Sequence, residues 1–466
     1  MVLTICSKEG KVLATRVILV RHGESSYNAQ RRVQGHCDES TLNEAGRLGA
    51  CQVGVALQDL KFDAIYSSPL QRAKDTATLI QSTLNQNGHT APAIQLTDNL
   101  KEISLPLWEG LTFQEVEDKY LDDYHTWRTR PHELSMQVPA EDGSIQEFYP
   151  VLALYEQAKQ FWREVLPQHQ GETILIVAHS GINRSLICAA VGLGPEYYQS
   201  IHQSNCGISV LNFSGGLGDP VQLESINLTA HLGELLPKPR NTQTGPRLLL
   251  VRHGETDWNR QKRFQGQMDI PLNEQGRIQA GQAAEFLQDV AIDRAITSPM
   301  LRPKETAEII LSKHPAVQLE LDADLQEISH GLWEGKLEAE IEQEFPGELE
   351  QWKNAPETVQ MPEGENLQQV WERTIKAWDA IVALTAANPA DRPTTVLVVA
   401  HDAVNKAILC YLVGQGPESF WAFKQGNGAV TVIDYPQGAT GKPTIQALNI
   451  TTHLGGVLDK TAAGAL

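Results

Sequence analysis

The sequence predicts an α/β protein of two tandem layered domains, each built on a mainly parallel sheet. Three observations carry that prediction. A domain-sized stretch of chain occurs twice. Within each copy, short apolar runs alternate with longer amphipathic stretches. The apolar runs are continuous rather than alternating, which suits strands covered on both faces. A chain of 466 residues, 41% hydrophobic and 20% charged, has the composition of a globular protein with room for two or three domains.

The repeat starts at Arg21-His22-Gly23-Glu24, which returns 231 residues later as Arg252-His253-Gly254-Glu255. Further pairs follow in the same order. Leu42-Asn43-Glu44-Ala45-Gly46-Arg47 answers Leu272-Asn273-Glu274-Gln275-Gly276-Arg277, and Ser68-Pro69-Leu70-Gln71-Arg72 answers Ser298-Pro299-Met300-Leu301-Arg302. Leu100-Lys101-Glu102 answers Leu325-Gln326-Glu327, Val177-Ala178-His179 answers Val399-Ala400-His401, and both copies close on a related segment ending in His231-Leu232 and His453-Leu454. A period this long is a duplication, not a solenoid. The expected domains are residues 1–232 and 247–466. The Pro- and Gly-rich stretch 233–246 reads as a linker.

Each element has its own signal. Residues 17–20, 64–66 and 174–177 are short apolar runs that predict buried strands, as do 248–251, 295–297 and 396–399. Residues 45–57 and 276–287 read as helices. The segments around 111–139 and 336–362 read as loops.

The net charge of −19 excludes a nucleic-acid or anionic-membrane surface, which needs a basic face. Any anionic substrate must therefore be held by locally concentrated arginine. The six cysteines, Cys6, Cys37, Cys51, Cys188, Cys206 and Cys410, form no C-x-x-C pair and suit reduced thiols in a cytoplasmic setting. No apolar run has the length of a signal peptide or a membrane span. Cys206 reads as a small buried residue, Trp108, Trp258 and Trp333 as packing residues, and His36 and His231 as structural.

The repeated residues suit phosphoryl transfer. His22, Arg21 and His179 each lie just after a predicted strand, as do His253, Arg252 and His401, and open parallel sheets bind ligands at strand carboxyl ends. A neutral histidine is a competent nucleophile. Arginine offers a planar, permanently charged fork for phosphate oxygens. A carboxylic acid whose pKa is raised by burial or a nearby dianion can protonate the leaving alkoxide. His22 is thus assigned as nucleophile, Arg21, Arg72 and His179 as the phosphate clamp, Glu102 as proton donor, and Asn28 as a further donor to the oxygens. In the second half the roles fall to His253, Arg252, Arg302, His401, Glu327 and Asn259. Gly23 and Gly254 are expected to let the backbone approach the phosphate.

With Arg-His-Gly-Glu, Ser-Pro-x-x-Arg, Leu-x-Glu and the late Ala-His in hand, the chain resembles the histidine phosphatase superfamily, the phosphoglycerate-mutase-like fold, twice over. The resemblance implies three-layer α/β/α domains, a phosphohistidine intermediate on the first motif histidine, no metal or other cofactor, and a small anionic phosphorylated metabolite as partner. A narrower resemblance, in Gln203-Ser204-Asn205-Cys206-Gly207-Ile208-Ser209-Val210 and the tandem layout, is to the plant and cyanobacterial 2-carboxy-D-arabinitol-1-phosphate phosphatases. The plant proteins have lost catalytic residues from their second domain, and this chain keeps them.

The resemblance leaves phosphoserine phosphatase and cofactor-dependent phosphoglycerate mutase as rival activities. In the mutases an arginine commonly follows the acidic residue. Ile103 and Ile328 stand there, which favours hydrolysis. A third reading makes one half a non-catalytic phosphate-binding module. The halves also differ: Pro362-Glu363-Gly364-Glu365-Asn366 of the second is a family loop that the first replaces by Pro139-Ala140-Glu141-Asp142-Gly143, and His179-Ser180-Gly181 becomes His401-Asp402-Ala403. The two pockets are therefore expected to differ in substrate preference.

Overall fold

The computed structural model describes residues 4–7, 10–86, 90–140, 142–239, 243, 245–386 and 392–462. The chain divides into two compact units, Met1–Glu234 and Leu235–Leu466. Residues 240–242 and 244 of the expected linker lie outside the described residues, as do Glu141 and the side chain of Cys6.

In the first unit the sheet strands are β1 (Thr15–Arg21), β2 (Ala64–Ser67), β3 (Ile94–Leu96), β4 (Thr173–Ala178), β5 (Ile208–Phe213) and β6 (Val221–Leu228). Their order is β6-β5-β1-β4-β2-β3. The pairs β1–β4, β4–β2 and β2–β3 are parallel, whereas β1–β5 and β5–β6 are antiparallel. The second unit repeats this with β7 (Arg247–Arg252), β8 (Arg294–Thr297), β9 (Leu319–Leu321), β10 (Thr395–Ala400), β11 (Val430–Asp434) and β12 (Thr444–Ile450), in the order β12-β11-β7-β10-β8-β9. The fold is α/β with a mostly parallel sheet, and the antiparallel edge is the part that sequence reading did not resolve.

Val17, Ile18, Leu19 and Val20 are fully buried, as are Leu248, Leu249, Leu250 and Val251. Successive strand residues point to opposite faces, so burial of all four requires cover on both sides. The cover comes from packed helix pairs: α1 (Glu44–Ala56) with α2 (Gln71–Gln86), and α3 (Pro150–Val165) with α4 (Ser180–Ala190). In the second unit the pairs are α5 (Glu274–Leu287) with α6 (Leu301–Leu311), and α7 (Leu367–Ala386) with α8 (Asp402–Leu412). Asn43 and Asn273 cap α1 and α5 by accepting the Gly46 and Gly276 N–H at 2.8 Å each, which satisfies an orphan donor.

The two motif glycines have a packing role, and one expectation is corrected. A β-carbon on Gly23 would lie 2.3 Å from the Gly46 carbonyl oxygen, and one on Gly254 would lie 2.4 Å from that of Gly276. The glycines thus let the strand end touch the start of α1 or α5. The segments read as loops contain helices, Phe113–Lys119 and Leu121–Thr129 in the first unit and Glu338–Glu344 and Glu348–Asn354 in the second. Their polar, irregular sequence hides a few anchors: Trp352 and Ile341 are fully buried against Phe264, Trp333 and Phe420. In place of the second unit's 362–366 loop, the first unit has an antiparallel hairpin of Met136–Pro139 and Ile145–Phe148.

Candidate active sites

Strand register builds each site. Arg21 of β1 sits opposite Ala178 of β4, and the His22 N–H donates to the Ala178 carbonyl at 2.9 Å. This puts His22 beside His179, with ring centroids 5.1 Å apart and an interplanar angle of 61°. The second unit repeats the arrangement: Arg252 opposes Ala400, and His253 and His401 lie 5.3 Å apart at 65°. All four histidines are buried.

His22 Nδ1 is 2.7 Å from its neighbour's carbonyl, Gly23 O, and His253 Nδ1 is 2.7 Å from Gly254 O. A carbonyl only accepts, so Nδ1 carries the proton and Nε2 presents a lone pair. In the second unit Arg302 Nε donates to His253 Nε2 at 3.3 Å, in keeping with that tautomer. Burial, then Arg72 and Arg21, hold the His22 pKa well below its usual value. Burial, then Arg302 and Arg252, do the same for His253. Both rings are therefore neutral at physiological pH.

The arginines are anchored through Nη. Arg72 donates from Nη1 to Cys37 O and from Nη2 to Gly35 O, at 3.0 and 2.9 Å. Arg302 does the same toward Met268 O and Gly266 O, at 3.1 and 2.8 Å. Arg21 is tied to Gln203 O at 2.8 Å and Arg252 to Gln425 O at 2.6 Å. The Nε groups of Arg21, Arg72 and Arg252 are buried and have no hydrogen-bond partner. Burial of the guanidinium draws Arg21 and Arg302 down to about 10, which leaves both charged at neutral pH. Buried cationic donors that lack partners are costly, and an oxyanion would satisfy them.

His179 and His401 complete each ring of donors. Their Nε2 atoms meet Ser68 Oγ at 2.8 Å and Ser298 Oγ at 3.0 Å, while both Nδ1 atoms are buried without a partner. Ser68 Oγ also accepts the Leu70 N–H, so its own proton can go to His179 Nε2, and Nδ1 then becomes a donor.

The acidic residues sit at the start of α4 and α8. The Glu102 carboxylate accepts from Ile103, Gly181 and Ile182 N–H at 2.9, 3.1 and 3.2 Å. Glu327 accepts from Ile328, Asp402 and Ala403 at 3.0, 3.1 and 3.2 Å. A helix N-terminus thus aims each carboxyl group. Burial, then the neighbouring Asp402 carboxylate, push the Glu327 pKa up. Asp402 is itself buried, 2.6 Å from Lys406 Nζ and 3.4 Å from Arg252 Nη1.

Asn28 and Asn259 are linked to His22 and His253 through shared amides, and their Oδ1 atoms are occupied. Each accepts the backbone N–H of its helix cap, Ser25 or Thr256, at 3.2 and 3.1 Å. Each also accepts from a residue that sequence reasoning missed, Asn205 Nδ2 at 3.2 Å and Asn427 Nδ2 at 3.3 Å. Those same amides donate to the carbonyls of His22 and His253. His36, read as merely structural, contacts the Glu102 carbonyl through Nε2 at 2.8 Å, and Gln267 holds the Glu327 carbonyl at 3.0 Å. His231 bonds Cys206 O at 3.0 Å, and burial pushes the Cys206 thiol up to about 12. Trp108 and Trp333 are buried packing residues, and Trp258 lies against Gly335. Among the described residues no group of three His, Cys, Asp or Glu is arranged to hold a metal ion.

The profile of the histidine phosphatase superfamily (branch 1) matches residues 17–226 and again 248–451. The chain is 32% identical to a 2-carboxy-D-arabinitol-1-phosphatase of Triticum aestivum over 452 residues, which cover 95% of this chain and 87% of that protein. It is 28% identical to a probable 2-carboxy-D-arabinitol-1-phosphatase of Arabidopsis thaliana, covering 94% of this chain and 88% of the other. Phosphoserine phosphatase 1 of Hydrogenobacter thermophilus is 31% identical over 219 residues, 47% of this chain and 95% of that protein.

Proposed function

The chain belongs to the histidine phosphatase superfamily (branch 1), and from that premise we propose that each half hydrolyses a phosphomonoester through a phosphohistidine on His22 or His253. That the chain is a phosphoric monoester hydrolase follows from the family and from relatives matched along nearly its whole length. The observation that carries the mechanism is a neutral histidine, protonated on Nδ1 and so basic at Nε2, in sites that also hold the buried, partnerless Nε groups of Arg21, Arg72 and Arg252.

The arginines and the Nδ1 of His179 or His401 bind the phosphoryl oxygens. Nε2 attacks phosphorus as the ester P–O bond breaks, and Glu102 or Glu327 gives a proton to the departing oxygen. Water then attacks the phosphohistidine and returns a proton to that carboxylate. Inorganic phosphate leaves and the neutral histidine is restored. The Asn28 and Asn259 amides, fixed through Oδ1, offer N–H groups to the oxygens.

The preferred substrate is a phosphorylated sugar acid, 2-carboxy-D-arabinitol 1-phosphate or a close relative, supported by the two relatives that share the tandem layout. Phosphoserine is the rival, supported by the relative that spans one half. We place the enzyme in a reducing, cytoplasmic environment, in keeping with free thiols at Cys37, Cys51, Cys188, Cys206 and Cys410. Among the described residues no helix is long and apolar enough to cross a membrane.

Two tests follow. Because side chains supply all the positive charge at the site, EDTA is expected to leave phosphate release unchanged, and loss of turnover with rescue by magnesium would sink the mechanism. The second uses a His22→Ala background, where only the second unit turns over. There Asp402→Asn removes the anion that helps keep Glu327 protonated. A raised pKa keeps the proton to higher pH, so its loss should move the alkaline limb of the pH–rate profile to lower pH. A limb that stays in place would separate Glu327 from proton donation.

A further inference from the structure

The two pockets differ at the leaving-group end, at four positions that correspond across the repeat. Counted from His179 and His401, Ser180 matches Asp402, Gly181 matches Ala403, Arg184 matches Lys406, and Tyr198 matches Phe420. In the first unit a β-carbon on Gly181 would lie 2.4 Å from Glu102 Oε1 and 2.6 Å from the Tyr198 hydroxyl. The acid and the phenol therefore flank one point. Arg184 lies with Cζ 5.5 Å from the Tyr198 ring centroid, within hydrogen-bonding reach of that hydroxyl. Its Nε is buried without a partner, and Ser180 supplies no counter-charge.

The second unit cancels each of these features. Asp402 pairs with Lys406 at 2.6 Å. The ammonium is covered by the rings of Phe420 and Trp421, at 4.8 and 4.4 Å from their centroids. Phe420 offers no hydroxyl.

We propose that Arg184, with the Tyr198 hydroxyl, binds a carboxylate on the alcohol portion of the substrate in the first unit, and that the second unit takes leaving groups without one. The inference rests on the phosphatase reading and assigns the sugar acid to one of the two sites. A guanidinium with an unpartnered Nε next to a phenol matches a carboxylate in charge and in donors. An ammonium already neutralised by a buried carboxylate gains little from a second one and would leave it poorly paired.

The test uses the full chain with one nucleophile removed, His253→Ala to isolate the first site and His22→Ala to isolate the second. The probes are 3-phosphoglycerate and glycerol 3-phosphate, which differ only in carboxylate against hydroxymethyl. Their kcat/KM ratio should favour the carboxylate at the first site. Arg184→Met should cut that ratio roughly 10- to 100-fold, the scale of a hydrogen bond to a charged group, and Arg184→Lys should keep part of it. At the second site the ratio should be near or below one, and Asp402→Ser should raise it. Equal losses on both probes, or no preference at the first site while p-nitrophenyl phosphate is still turned over, overturn the assignment of Arg184. Absence of p-nitrophenyl phosphate turnover in both backgrounds overturns the phosphatase reading and this inference with it.

Discussion

Replacing His22 and His253 together by alanine should leave a folded chain with essentially no phosphatase activity. Loss of an enzyme's nucleophile costs on the order of 10⁶-fold in the best-measured case, and the Nδ1 protons held by Gly23 O and Gly254 O leave Nε2 of these two histidines unprotonated. Each single replacement should silence only its own half, since every site residue comes from one unit and distant sites act independently. Phosphate release by the wild type, the two single variants and the double variant measures this. A double variant that hydrolyses at the native rate would remove both histidines from the chemistry.

Glu102→Gln and Glu327→Gln should slow hydrolysis of alkyl phosphates about 10²- to 10⁴-fold, the usual worth of general acid catalysis, and slow p-nitrophenyl phosphate far less. A sugar alkoxide is strongly basic and must be protonated as the bond breaks, whereas nitrophenolate leaves as a stable anion. Gln keeps an oxygen that can accept from the helix N-terminus but cannot deliver a proton. Attack by the histidine is unaffected, so phosphoenzyme should still form from the activated ester, and rapid-quench measurement on each half reads it directly. Equal losses on both esters would mean that the glutamates only position or bind.

What could be read from the sequence tracks how local each signal is. The central strands were legible because a run such as 17–20 is apolar at every residue, and the sites because their residues repeat in register. The direction of β5 was not, because a fully buried strand has the same pattern whether parallel or antiparallel. Asn205 and Asn427 escaped assignment because the carbonyls they hold, those of His22 and His253, lie more than 170 residues away in the chain. Ser68 and Ser298 were seen as parts of a motif, but only the fold reveals that they orient His179 and His401. The contact of Gly23 with the start of α1 escaped notice because small size can serve a ligand or a neighbouring helix, and only the position of Gly46 reveals the second.

The carbonyl behind each nucleophile also bears on the fate of the intermediate. Gly23 O and Gly254 O hold the Nδ1 proton before attack, and nothing in the phosphoryl transfer removes it. Phosphorylated on Nε2 and still protonated on Nδ1, the ring becomes a cation, and a cationic imidazole departs from phosphorus more readily than a neutral one. On the proposed mechanism the same short bond that selects the attacking nitrogen would thus speed transfer of the phosphoryl group from histidine to the water that accepts it.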